Sequence, residues 1–175
     1  MRRIASTVVQ DVGVARAKAG PAKSSEDVIK VLVRNRRALH DYAIEERLEA
    51  GVALTGSEVK SLRDQRASLG EGYVTVRGGE AWLVGVQINE YPWAHQQNHE
   101  PTRERKLLLH RREIGKLDTR LTQKGYSAVP LSIYLKNGRI KVEIGVGRGK
   151  KQFEKRETVK EAEAKREIDR ALRRR

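Results

Sequence analysis

The chain has 175 residues, no cysteine, 38% hydrophobic residues and a formal net charge of +14. That size and apolar content allow one modest core, the missing thiols exclude disulfides and thiolate zinc sites, and no apolar run approaches the roughly 18 residues that span a bilayer. With Ile4 to Val9 too short for a signal-peptide core, the expectation is a soluble, cytoplasmic, non-membrane protein.

Residues 1–30 are rich in small residues such as Gly13, Gly20, Ser24 and Ser25 and lack sustained periodicity, which predicts a flexible N-terminal extension. A single domain is expected over residues 31–147. Within it, Asp41 to Leu54 alternates, with Tyr42, Ile44, Glu46 and Leu48 on one side, and reads as a strand ending near Gly51. A helix follows, with Ser57 as the cap, Glu58 at the positive end of the dipole, and Val59 and Leu62 on a buried face.

Gly78 and Gly79 supply the turn of a first hairpin that pairs Val76 with Ala81, Val74 with Leu83 and Thr75 with Trp82. From Pro101 a helix is expected to carry Leu107, His110, Ile114, Leu117 and Leu121 on one stripe and to end near Gly125. His110 on that stripe reads as a packed, hydrogen-bonded histidine. Asn137 and Gly138 then form the turn of a second hairpin pairing Leu135 with Ile140, Ile133 with Val142, Leu131 with Ile144 and Val129 with Val146, all on one face, with Tyr134 opposite Lys141 on the other.

These elements predict a mostly β fold. A small antiparallel barrel of the oligonucleotide-binding type with flanking α-helices is the common solution of that size that handles RNA. Residues 148–175 hold twelve basic and six acidic side chains, a basic C-terminal tail expected to be disordered when free and to become helical once a polyanion screens its charge.

The charge is unevenly placed: residues 38–98 carry a net −4, residues 1–37 and 148–175 each a net +6, and residues 99–124 a net +4. Several separate basic surfaces for a polyanion follow. Gly145 to Lys151 reads GVGRGKK, a glycine-rich strand exit rather than a phosphate loop, because the first required glycine falls at Ile144 and Lys151 replaces the magnesium-binding hydroxyl. His95 and His99 lie in a segment with no helical pattern and no third ligand, so neither a metal nor any other cofactor is expected. Nor does any nucleophile stand with a base and an orienting acid, which leaves a metal-dependent nuclease as the enzyme reading and a non-enzymatic RNA binder as the favoured one.

Arg103, Arg105 and Lys106 cluster where the helix from Pro101 would begin, an end at which phosphate relieves the opposition between cations and dipole. Asn35, Arg36 and Arg37 precede the first strand read from the sequence and suit backbone contact less decisively.

Three stretches together resemble one family, the small protein B family, also called SsrA-binding proteins: NRRALHDYAIEERLEAGVALTGSEVKSLRD from Asn35, EPTRERKLLLHRREI from Glu100, and IKVEIGVGRGKKQFEKRE from Ile140. The resemblance covers about Val33 to Arg175 and implies an adapter that grips the tRNA-like domain of transfer-messenger RNA, as a monomer bound to RNA, and delivers it to stalled ribosomes for trans-translation. It implies RNA-facing roles for Asn35, Arg36, Glu58, Lys60, Arg103, Arg105, Lys106, Lys141, Lys150 and Lys151. Of these, Glu58 either accepts from a base or ribose hydroxyl or anchors a neighbouring Arg. The resemblance further implies that the polyanion met by the tail is the ribosome, with Phe153, Glu154, Lys155 and Arg156 near the decoding centre and the tail helical along the messenger path. Here Phe153 stands where the family commonly has histidine or tyrosine, and Glu154 where it has aspartate. A structural ribosomal protein with a small β-barrel and basic tails remains the alternative on composition alone.

Overall fold

The computed structural model of the chain describes residues 29–94 and 98–152. In chain order its elements are β1 (Ile29–Arg34), α1 (Ala38–Asp41), β2 (Tyr42–Val52), α2 (Gly56–Arg63), β3 (Ala67–Ser68), β4 (Tyr73–Arg77), β5 (Glu80–Val84), β6 (Gln87–Ile88), β7 (Arg105–Leu108), α3 (Arg111–Thr122), β8 (Tyr126–Lys136) and β9 (Arg139–Gly149).

Six strands close into a ring by antiparallel pairing in the order β8-β4-β5-β7-β2-β9, with β9 returning to β8 and β1 added on β8. Closure asks β8 to serve three partners. It does so by dividing one edge, meeting β4 at Ala128 and β1 from Ser132 onward, while the other edge runs along β9. The buried faces of Ala50, Leu83, Leu107, Ile133, Val142 and Ile144 meet inside the ring, and Leu117 of α3 joins the same cluster. β3 and β6 form a separate two-stranded pair.

Both hairpin turns form where the sequence puts them, at Gly78–Gly79 and Asn137–Gly138, all four residues at positive φ. The first hairpin keeps its full expected register. In the second, Leu135 faces Ile140 and Ile133 faces Val142, but then the register slips at a bulge: Ser132 faces Glu143 and Pro130 faces Ile144, with Leu131 unpaired between them. Pro130 has no amide hydrogen to give the ladder, and the Leu131 carbonyl accepts from the Asn35 amide instead (2.8 Å). One extra residue reverses the facing of what precedes it, so Val129 and Leu131 pack with Ala38 in a second cluster while Ala128 takes the place opposite Val146.

The helix expected from Pro101 is a strand and then a helix. Leu107 pairs with Ala81 and Val52 inside the ring, so residues 105–108 complete the closure, and burial of Leu107 outweighs the helical spacing of the leucines. The helix begins after His110, which is its exposed N-terminal cap rather than a packed residue of its stripe. Likewise Thr55, not Ser57, caps α2.

Strand β1 occupies a stretch where the sequence reading places no strand, although Ile29, Val31 and Val33 alternate with Lys30, Leu32 and Arg34. The glycines read as a strand exit are in β9 itself. A Cβ on Gly147 would lie 2.1 Å from the Ala43 carbonyl oxygen, so β2 and β9 meet there more closely than any side chain permits. Residues 29 and 30, expected in the extension, begin β1, and residues 148 and 149, expected in the tail, end β9, because both are drawn into ladder pairing; the rest of the extension, the tail from residue 153 and its four decoding-centre residues lie outside the described residues.

Candidate nucleic-acid interface

Glu58 is the third helical residue of α2 and is fully buried, as is Arg105 at the head of β7. Its Oε2 accepts from the Thr55 amide (2.7 Å), closing a capping box, and from Nη2 of Arg103 (2.6 Å); its Oε1 accepts from Nε of Arg103 (2.7 Å) and of Arg105 (2.9 Å). The remaining donors of Arg105 go to the carbonyls of Val86 (2.7 Å), Arg103 (2.9 Å) and Pro101 (3.0 Å). Burial alone would raise the Glu58 pKa, but the bonds from Arg103 and Thr55 and the two guanidinium charges hold it below the ordinary glutamate value. Burial conversely lowers that of Arg105, against the opposing pull of Glu58. This is a compact ionic joint between α2 and the lead into β7.

Two of the expected RNA-facing residues, Glu58 and Arg105, are therefore internal, and Glu58 takes the role of an anchor for neighbouring arginines. Asn35 is internal too: its amide donates to the carbonyls of Leu69 and Pro130 (both 3.1 Å) and its oxygen accepts from the Ala38 amide (3.1 Å), fixing the start of α1. Sequence spacing puts cations before a run of leucines; only the fold shows that alternate ones point inward from a strand. The three cations also do not sit at a helix N-terminus, which removes the dipole as a reason for phosphate there.

The other positions reach the surface, in separate groups. Arg36 and Arg37 are exposed before α1, and β9 ends beside them: the Lys150 amide donates to the Asp41 carbonyl (2.8 Å) and its Nζ to that of Leu39 (3.0 Å), with Lys151 exposed beyond. Residues far apart in the chain thus form one basic edge. Lys60 lies on the exposed side of α2, its Nζ 5.3 Å from the centre of the Tyr91 ring. Arg103 is partly exposed above Glu58, while Lys106 on β7 is paired with Glu80.

A matching family profile, described as SmpB protein, covers residues 32–174 of this chain. The chain belongs to the SmpB family. An SsrA-binding protein of Thermobifida fusca (strain YX) is 56% identical over 146 residues, spanning 83% of this chain and 91% of the relative. One from Shouchella clausii (strain KSM-K16) is 49% identical over 146 residues, 83% of this chain and 94% of the relative. A solved chain from the work "tmRNA-SmpB: a journey to the center of the bacterial ribosome" superposes with a TM-score of 0.61 at 43% identity, covering 70% of this chain and 87% of that one.

In this SmpB-family chain, Lys141 belongs to a cluster that the sequence reading met only in part. Opposite Lys141 stands Tyr134, as the turn predicts, but the hydroxyl of Tyr134 donates to Oε2 of Glu49 (2.5 Å), and Lys136 and Lys141 lie 3.4 and 3.5 Å from the same carboxylate. Chiefly through the Tyr134 bond, Glu49 is held below its ordinary pKa, and burial with the Glu49 bond pushes the Tyr134 phenol up. Glu49 is on β2, whose register against β9 is a non-local pairing that no turn signals. No helix among the described residues is long and apolar enough to cross a membrane.

Proposed function

We propose that this chain binds the tRNA-like domain of transfer-messenger RNA and delivers it to stalled ribosomes for trans-translation, acting in the cytoplasm as a non-enzymatic adapter, monomeric on its RNA. Family membership along most of the chain, among relatives named SsrA-binding protein, is the observation that carries this reading. The basic edge built from Arg36, Arg37 and the end of β9 agrees with it, since phosphate contacts dominate RNA affinity. The ring of strands is, on this reading, an oligonucleotide-binding barrel that forms one domain with its flanking helices.

The RNA-facing set is then Arg36, Lys60, Arg103, Lys106, Lys141, Lys150 and Lys151, with Asn35, Glu58 and Arg105 shaping the backbone beneath them. Phe153, Glu154, Lys155 and Arg156 would act separately at the decoding centre, where a phenylalanine ring retains stacking. A chain truncated after Lys151 tests the division: it is expected to bind transfer-messenger RNA almost normally and to fail in tagging on stalled ribosomes. Full tagging by the truncated chain overturns the tail's role. Recovery of ribosomal RNA at subunit stoichiometry with the intact protein, in place of one discrete RNA, overturns the adapter reading.

A further inference from the structure

Trp93 is 77% exposed, the most exposed large hydrophobic side chain among the described residues. It is not on a loose strand of chain. Residues 91–94 form a β-turn closed by the Ala94 amide on the Tyr91 carbonyl (3.0 Å), with Pro92 and Trp93 at its two central positions. Asn98 clamps the turn from both sides, its oxygen accepting from the Tyr91 amide and its nitrogen donating to the Tyr91 carbonyl (both 3.0 Å).

The described residues on either side of the turn are bonded to α2 and the chain just after it. Ser61 Oγ donates to the Asn89 carbonyl (2.5 Å) and the Asn89 amide to that of Arg66 (2.9 Å). His99, at the other end, donates from Nε2 to the Ile88 carbonyl (3.1 Å) and places Nδ1 2.9 Å from Ser57 Oγ. Tyr91 lies under Lys60. An indole on a turn held this way contributes nothing to the core and leaves most of its apolar surface in water.

We infer that Trp93 is a stacking platform for an unpaired RNA base, with Lys60, held over Tyr91, placed for the neighbouring phosphate. The inference rests on the proposed RNA-binding reading and extends it to a residue outside the expected set. A protein-docking patch needs contiguous apolar area, and no other large hydrophobic among the described residues of this loop is exposed. Lys60 lies over the ring of Tyr91, two residues before it, the Arg66 carbonyl accepts from Asn89 of the same segment, and Lys60, Arg66 and Glu90 are all exposed. A lone exposed ring on a turn that also has a lysine over it suits a base and its phosphate, because stacking accepts the face of any base and the charge is met separately.

Two variants of the full chain test this with transfer-messenger RNA as the probe. In a Trp82→Phe background Trp93 is the sole indole, and its emission is expected to be quenched on addition of the RNA. Trp93→Leu is expected to fold as the parent does and to weaken binding roughly 5- to 150-fold, the range of one missing stack, with the salt dependence of affinity unchanged; Trp93→Phe is expected to restore most of the loss. Unchanged affinity of Trp93→Leu overturns the inference, as does normal RNA affinity accompanied by weakened ribosome association, which would mark the indole as a ribosome contact. If the unaltered chain itself fails to bind transfer-messenger RNA, the RNA-binding reading falls and this inference with it.

Discussion

Nε of Arg105 lies 2.9 Å from Oε1 of Glu58, and neither side chain reaches solvent. The pair joins α2 to the strand that closes the ring, and each member has its other polar atoms engaged. Removing one partner leaves a buried charge without its counter-ion, so Glu58→Ala and Arg105→Ala are each expected to lose about 3–5 kcal/mol in urea unfolding. The folded pKa of Glu58 is depressed, so its contribution is present above the unfolded value near ~4.3 and lost as pH falls through the lower folded value. The deficit of Glu58→Ala should therefore narrow in acid. A deficit below ~1 kcal/mol at neutral pH would mean that the joint is not structural.

Ile133 is 1% exposed and faces Val142 across the second hairpin. A carboxylate there has no partner, and its burial competes with a total stability of about 5–15 kcal/mol. Ile133→Asp is expected to abolish cooperative melting, and a retained transition would show that this face of β8 is open to water.

Local chemistry accounts for what could be read in advance. Asn137–Gly138 and Gly78–Gly79 specify their turns and the strand pairs nearest them, because positive φ is a property of those residues themselves. The bulge at Leu131 could not be read, since its carbonyl is met by the Asn35 amide, which arrives just beyond the end of β1. The same limit applies to the site. That Arg36, Lys60, Lys150 and Lys151 are cationic and surface-bound follows from residue type. That Arg105 points inward while Lys106 beside it points out follows only from β7 being a strand, which in turn depends on Leu107 meeting Ala81 and Val52.

Gly147 and Gly149 are two residues apart on β9 and should respond differently to one added methyl group. At Gly147 the Cβ would meet backbone atoms of Ala43 and Ile44, which cannot rotate away; at Gly149 it would meet nothing within 4 Å. Gly147→Ala is expected to destabilise by at least the roughly 1–3 kcal/mol of an overpacked core site, and Gly149→Ala to be nearly neutral in the same thermal melts. Equal melting temperatures would show that β2 and β9 separate more easily than their pairing suggests.

The Tyr134 hydroxyl is the largest influence holding Glu49 ionised. Tyr134→Phe keeps the packing and removes the donor, so the Glu49 carboxyl is expected to titrate closer to its ordinary value, followed by NMR of its carboxyl carbon. Because Glu49 keeps much of its water, the stability loss should be only about 1 kcal/mol at neutral pH. The sign follows from a depressed folded pKa: the wild-type advantage is present above the unfolded value near ~4.3 and fades as pH falls through the folded one. A Glu49 titration unmoved by the substitution would assign the shift to Lys136 and Lys141.

The basic edge carries the last prediction. A test of phosphate contact must alter cations without loosening the fold, which excludes Arg105 and any double variant containing it. Arg36 and Lys151 are exposed at the two chain segments that meet beside α1. Removing one cation from a phosphate lowers the dependence of log affinity on log salt by about one unit or slightly less. The double change Arg36→Ala, Lys151→Ala is therefore expected to flatten the slope for transfer-messenger RNA by roughly two units while its melting temperature stays at the wild-type value. The same pair of alanines should weaken binding most at low salt, where counter-ion release contributes most. An unaltered slope with intact folding would mean that the RNA lies elsewhere on the surface, with Lys60 and the Trp93 turn the next place to look.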